Sequence, residues 1–259
     1  MQPLLGLRSV RMACLLPVSR AFLSAVVLSL MAVPAWPESS SGSLPTGITA
    51  TQIVEQMQSR NLARTQELKH YQSLRHYKVE YQGFSKDIVA EMEVEVNFDA
   101  ASGKNFRITS QSGSKLLCEK VLKRAVDSEK EAAKDKGATA LTTANYRFEL
   151  AGEENLAGRR AYILNVEPLK PSKFLYRGKI WVDAQDFALV RVDAEPAKSP
   201  SFWISRTLIR FTNTKTGDFW LPEHTQSETK VRVGGTAVLT IAFGTYQVTP
   251  RDTQEAAIR

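Results

Sequence analysis

The stretches 77–82, YKVEYQ, and 90–99, AEMEVEVNFD, decide the fold. Tyr77, Val79, Tyr81, Ala90, Met92, Val94, Val96 and Phe98 alternate with Lys78, Glu80, Gln82, Glu91, Glu93, Glu95, Asn97 and Asp99. Successive side chains of a strand point to opposite faces, so this period of two predicts an antiparallel pair with one apolar, aromatic face and one charged, wet face.

The same pattern continues downstream. A turn over 99–104 leads to a third strand over 106–110, and then the alternation stops. From Ser114 to Lys136 the spacing predicts a strongly charged helix, apolar in its first half at Leu116, Leu117, Val121, Leu122 and Val126; its second half is expected to lie in water or to move. Tyr146-Phe148-Leu150 and Tyr162-Leu164-Val166 flank Gly152 and Gly158 as a hairpin, and 174–183 and 187–194 flank Asp183-Ala184-Gln185-Asp186 as another. Segments 202–212, 220–233 and 236–248 complete about ten strands. Upstream, Thr49-Ala50-Thr51-Gln52 has the form of a capping box, and Ile53, Val54, Met57 and Leu68 follow at helical spacing, which predicts a helix over 50–71. Without crossover helices the chain cannot be a doubly wound sheet. The expected fold is mostly β (α+β): a highly curved antiparallel sheet of about ten strands over residues 49–250, wholly or partly closed as a β-barrel, its opening covered by two or more helices.

The first residues read as a leader. Arg8, Arg11 and Arg20 precede an uncharged run from Ala21 to Pro37, and Val33-Pro34-Ala35 offers the small residues of a cleavage site. The expected organisation is therefore a signal peptide over 1–35, a Ser/Pro/Gly linker over 36–48, the barrel, and a tail over 251–259, with the mature protein outside the cytoplasm. Cleavage leaves 31 of 34 basic residues against 27 acids, a net charge of +4, which excludes a nucleic-acid footprint and suits weak attraction to anionic membrane surfaces. It also leaves Cys118 as the one cysteine, so no intramolecular disulfide can form and packing must supply stability.

Residues able to do covalent chemistry are few. His70 and His76 lack the i, i+4 spacing and the companion ligands of a metal site, so no metal and no cofactor are expected. Glu223-His224 has no nucleophile elbow to complete a triad. Asp183 and Asp186 fall in a turn, where Asp bonds the local backbone, and Cys118 reads as a small buried residue. No enzymatic function is expected. Large aromatic residues spread over many strands leave an apolar cavity or a filled core as alternatives, because alternation does not distinguish a hollow barrel from a solid one.

The hairpin Tyr176-Arg177-Gly178-Lys179-Ile180-Trp181-Val182-Asp183 with Phe187-Ala188-Leu189-Val190-Arg191-Val192 resembles the G-x-x-W-V-D, L-x-R-V/I hairpin of LolA-like outer-membrane lipoprotein-sorting proteins. Phe219-Trp220-Leu221-Pro222 and the strand Leu239-Thr240-Ile241-Ala242-Phe243-Gly244-Thr245-Tyr246 are similar to the C-terminal part of the same group. The resemblance, over about residues 50–249, implies an incompletely closed antiparallel β-barrel with helices over its opening, in a periplasmic carrier or chaperone. Such a protein would hold lipid acyl chains or lipoproteins non-covalently as a monomer, exchanging them with membrane-bound donor and acceptor proteins. The cavity lining expected from alternation is Tyr77, Val79, Tyr81, Met92, Val94, Val96, Tyr146, Phe148, Tyr162, Phe174 and Tyr176. No position is matched to a lid-locking arginine. A sensor of the same fold, reporting lipid or lipoprotein through a protein interface, is the alternative.

Overall fold

The computed structural model describes residues 47–83, 87–134, 136–172, 174–199, 202, 204–232 and 234–251. The expected leader, most of the linker and the tail beyond Arg251 lie outside the described residues. Helix α1 (Ala50–Glu67) starts at the capping box: Gln52 N donates to Thr49 Oγ1 at 3.2 Å, and Thr49 N to Gln52 Oε1 at 2.9 Å. It ends four residues sooner than its spacing predicts, because β1 (Leu68–Gln82) takes over directly. Residues 68–72 pair with β11 (Gln247–Pro250), and His70 onward with β2 (Ile88–Asp99). Backbone bonds on both sides and the burial of Tyr71 outweigh the weak helical propensity of one further turn.

β3 (Gly103–Gly113) leads into α2 (Lys115–Leu117), a π-helical turn (Cys118–Leu122), α3 (Lys123–Lys134) and the short α4 (Lys136–Thr139). A meander follows: β4 (Tyr146–Leu156), β5 (Arg159–Pro168), β6 (Tyr176–Asp183), β7 (Leu189–Pro196), β8 (Ile204–Thr216), β9 (Phe219–Val231) and β10 (Thr236–Phe243). The β4–β5 turn has φ of 49° at Ala157 and 83° at Gly158, the left-handed pair of a two-residue hairpin loop.

The strands form one antiparallel sheet ordered β3-β2-β1-β10-β9-β8-β7-β6-β5-β4, with β11 beside β1. The end strands β3 and β4 do not pair with each other, so the barrel stays open, and the chain passes from one edge to the other through the helices α2–α4. The strand expected over 236–248 is broken in two. At Gly244 a Cβ would stand 2.9 Å from the Leu74 carbonyl oxygen, so the backbone passes close to β1 there and re-forms as β11.

The core is divided. One cluster joins Tyr77, Val79, Met92, Val94 and Val96 of β1 and β2 to Leu117, Cys118, Leu122 and Val126 of the second helical segment. The other joins Ile53, Val54 and Met57 of α1 to Tyr146, Tyr162, Leu164, Ile180, Val182 and Val192 of β4–β7. Each helical segment covers its own part of the sheet's inner face.

Candidate functional site

The division separates the residues expected to line a common cavity. Tyr77, Val79, Met92, Val94 and Val96 lie in the first cluster, with Tyr81 at its margin; the Tyr81 hydroxyl donates to the Gly234 carbonyl at 3.0 Å. Tyr146 and Tyr162 lie in the second, with Phe148 and Tyr176 packed against it. Phe174 sits in the turn before β6 and belongs to neither. Val79, Met92, Val94 and Val96 are 0% exposed. A side chain with no surface open to a water-sized sphere faces no water-sized void, so these four are packed solid against α2 and its π-helical turn in this conformation.

Open space lies at the margin of the first cluster. β9 pairs with β10 only over residues 224–230, and β11 pairs with β1, so the ladder lapses between Phe219–Glu223 and β11. The Tyr246 hydroxyl spans the gap, donating to the Pro222 carbonyl at 2.8 Å. A cleft of about 870 Å³ opens there, lined by Phe219, Tyr246 and Val248 with Gln66, Glu67, Asp218 and Arg251 at its rim. A second, of about 310 Å³, lies under the C-terminal half of α1 between Leu68, Leu189, Phe219, Trp220 and Leu221, with Asn61, Arg64 and Thr65 above. Both share Phe219. The apolar walls of this crevice around Phe219 come from Leu68, Phe219, Leu221, Tyr246 and Val248 of the first cluster, with Leu189, at the margin of the second, entering only the smaller cleft. The Phe219-Trp220-Leu221-Pro222 segment was legible as a motif. Its place at a gap was not, because that depends on the break at Gly244.

A buried ionic group braces α3 on β1. Arg75 is 1% exposed, and its Nη1 donates to Glu129 Oε2 at 2.7 Å; Lys104 Nζ reaches the other oxygen at 2.8 Å. The guanidinium also lies 4.7 Å from the Phe243 ring and 5.6 Å from that of Phe106. Burial pushes the Glu129 pKa up, but Lys104 and Arg75 outweigh it and hold the carboxyl below its ordinary range. Arg75 Nε, Tyr77 Oη and Ser73 Oγ are buried beside it. The second half of the charged helix is therefore not merely a solvated end: Glu129 ties it to the sheet.

The hairpin motif serves the fold. Gly178 has φ 151°, and a Cβ there would meet the Asp193 carbonyl oxygen at 2.4 Å, so glycine permits the β6–β7 approach. Trp181 lies under the Arg191 guanidinium at 4.5 Å and donates to Glu154 at 2.6 Å. Asp183, 1% exposed, accepts from the backbone of Gln185 and Asp186 and from Arg159 Nε at 2.7 Å. Asp186 gathers Arg159, Lys215 and Trp220, while Arg64 of α1 donates to its carbonyl. Burial raises both carboxyls' pKa values; hydrogen bonds from Arg159, the turn amides, Lys215 and Trp220 outweigh it and hold both below the usual range. A further cleft of about 690 Å³ on the outer face is lined largely by charged side chains such as Arg147, Glu167, Arg177, Asp193 and Arg210.

Among the described residues no three His, Cys, Asp or Glu side chains gather as a metal site, and no helix is long and apolar enough to cross a membrane. His76 is largely exposed, 4.0 Å from Glu91, and Cys118 is buried.

Among curated proteins none matches this chain significantly. Solved structures similar to it include a LolA superfamily protein from Nitrosomonas europaea, at 12% identity and a TM-score of 0.34, covering 82% of this chain and 98% of that one. The Mycobacterium tuberculosis lipoprotein LppX is similar at 11% identity and a TM-score of 0.27, over 75% and 94% of the two chains. MucB in the Pseudomonas aeruginosa MucA/MucB complex is similar at 11% and 0.24, over 76% and 94%. At these scores the correspondence is too loose to carry residues across. The open eleven-stranded sheet with its covering helices is the mostly β, incompletely closed form expected, and residues 95–198, from within β2 to just past β7, match the model of the MucB/RseB N-terminal domain.

Proposed function

We propose that this protein binds acyl chains of lipids or lipoproteins, without covalent chemistry, in the crevice around Phe219. The observation that carries the reading is the shared wall of the two clefts: Phe219, with Leu68, Leu189, Leu221, Tyr246 and Val248, faces open space at a lapse in the sheet. The larger cleft, about 870 Å³, is in the range of small-molecule sites. Burying each methylene there gains about 0.8 kcal/mol, so a long chain would be held firmly. The expected lining residues Tyr77, Val79, Tyr81, Met92, Val94, Val96, Tyr146, Phe148, Tyr162, Phe174 and Tyr176 contribute once a helical segment lifts, and the Arg75–Glu129–Lys104 group is the polar contact such a movement would break.

In this reading the mature protein works in the periplasm after its leader is cleaved, receiving cargo from one membrane-bound partner and passing it to another in outer-membrane lipoprotein sorting. A second reading is supported by the match of 95–198 to the MucB/RseB N-terminal domain. There the bound acyl chain is a signal, and the protein regulates a partner through its surface. Native mass spectrometry of protein purified from envelope extracts tests the shared claim. Acyl-bearing adducts are expected, and protein that is empty on purification and stays empty after incubation with fatty acid and phospholipid would overturn it.

A further inference from the structure

We propose that the helical segment from Lys115 to Arg124 docks on a bilayer containing anionic phospholipid. Residues 103–134 hold eight Lys or Arg and four Asp or Glu, an excess of four, which equals the +4 of the chain from residue 36 onward. β3 and the helices after it are thus one of the basic stretches of the folded part, alongside residues 159–179.

Several of those cations are already engaged. Lys104 pairs with Glu129, Arg107 with Glu95 and Lys123 with Glu119, and Lys130 lies over the Phe106 ring. Lys115, Lys120 and Arg124 are exposed and make no ion pair among the described residues. Leu116 stands between them, 62% exposed, although its neighbours Leu117 and Cys118 are buried. Leu116, Lys120 and Arg124 recur every four residues. They lie two positions from Cys118, Leu122 and Val126, about 200° round the helix and so opposite the buried side.

This combination fits a lipid surface. The leucine can enter the interfacial region while the long basic side chains reach the headgroup phosphates. A protein partner would need some 20–30 residues a side for a stable interface. Three unpaired cations round one leucine are too small a patch for that, whereas a bilayer repeats the same anionic group under every one. The inference goes beyond acyl binding, since these residues do not line the crevice.

Co-sedimentation with vesicles tests it, using phosphatidylcholine alone and phosphatidylcholine mixed with phosphatidylglycerol. The protein is expected to bind only the mixed vesicles and to be released as salt rises. Lys120→Glu/Arg124→Glu should weaken partitioning at least about tenfold, and Leu116→Ser several-fold, with the melting temperature unchanged because all three side chains are exposed. Equal binding to both vesicles, no binding to the mixed vesicles at low salt, or full binding by the charge-reversed variant would overturn the proposal. So would capture of an acidic protein by this patch without vesicle binding. Uptake of a fluorescent fatty acid by the same samples reads the crevice separately: vesicle binding without uptake sinks the acyl reading and leaves this one standing.

Discussion

Glu129→Ala probes the brace between α3 and the sheet. In the wild type, Arg75 is buried with one carboxylate partner, Glu129 at 2.7 Å. Removing one partner of a buried pair costs about 3–5 kcal/mol, because the charge left behind has lost both its water and its counter-ion. The Phe243 and Phe106 rings give back about 1 kcal/mol through their faces. Lys104, partly exposed, can turn to solvent at little cost. The expected loss is about 2–4 kcal/mol, and at about 2–4 °C per kcal/mol for a domain of this size the melting temperature should fall by roughly 5–15 °C. Arg75→Met added to Glu129→Ala removes the stranded charge and should restore part of the loss, a coupling that a double-mutant cycle measures. Thermal and urea unfolding read both. A single variant within about 1 kcal/mol of wild type, or a double variant less stable than the single, would refute the reasoning.

Other outcomes follow from the same contacts. Val94→Trp should cost roughly 1–3 kcal/mol in urea unfolding, because Val94 is packed solid. Gly178→Ala should cost about 1–3 kcal/mol, since its φ is left-handed and the new Cβ meets Asp193 backbone. Asp183, Asp186 and Glu129 hold their carboxyls below the ordinary range, so the unfolded chain takes up protons first. Their contribution is complete above about pH 4.5 and is lost as pH falls through the folded-state values. Acid titration of unfolding should show this loss, and it should be shallower in Arg159→Ala, which leaves Asp183 with only its turn amides.

Alternation carried most of the fold, because a period of two follows from strand geometry wherever one face is buried. The Thr49 cap, the β1–β2 pair and the Asp183 turn are local, and each stood where its residues indicated. The boundary at Leu68 and the break at Gly244 were hidden, because each depends on a neighbouring strand remote in sequence. The site was less legible for a related reason. Inward-facing residues such as Tyr77 and Tyr162 share a face of one sheet, yet which helix covers each is decided by long-range packing, and the two clusters part as a result. Arg75 looked like any strand residue, although it interrupts the apolar alternation between Tyr71 and Tyr77 on the buried side. That interruption, paired with an acid in a charged helix, was the available signal.

The central claim is that acyl chains lie in the crevice at Phe219, and photo-cross-linking with a diazirine fatty acid followed by peptide mapping tests it most directly. Saturable labelling is expected on peptides holding Leu68, Leu189, Phe219–Leu221 or Tyr246, and Phe219→Glu should abolish it while Phe219→Leu retains it. Labelling confined to the charged outer cleft around Arg177 and Arg210, or no saturable labelling at all, would contradict the account.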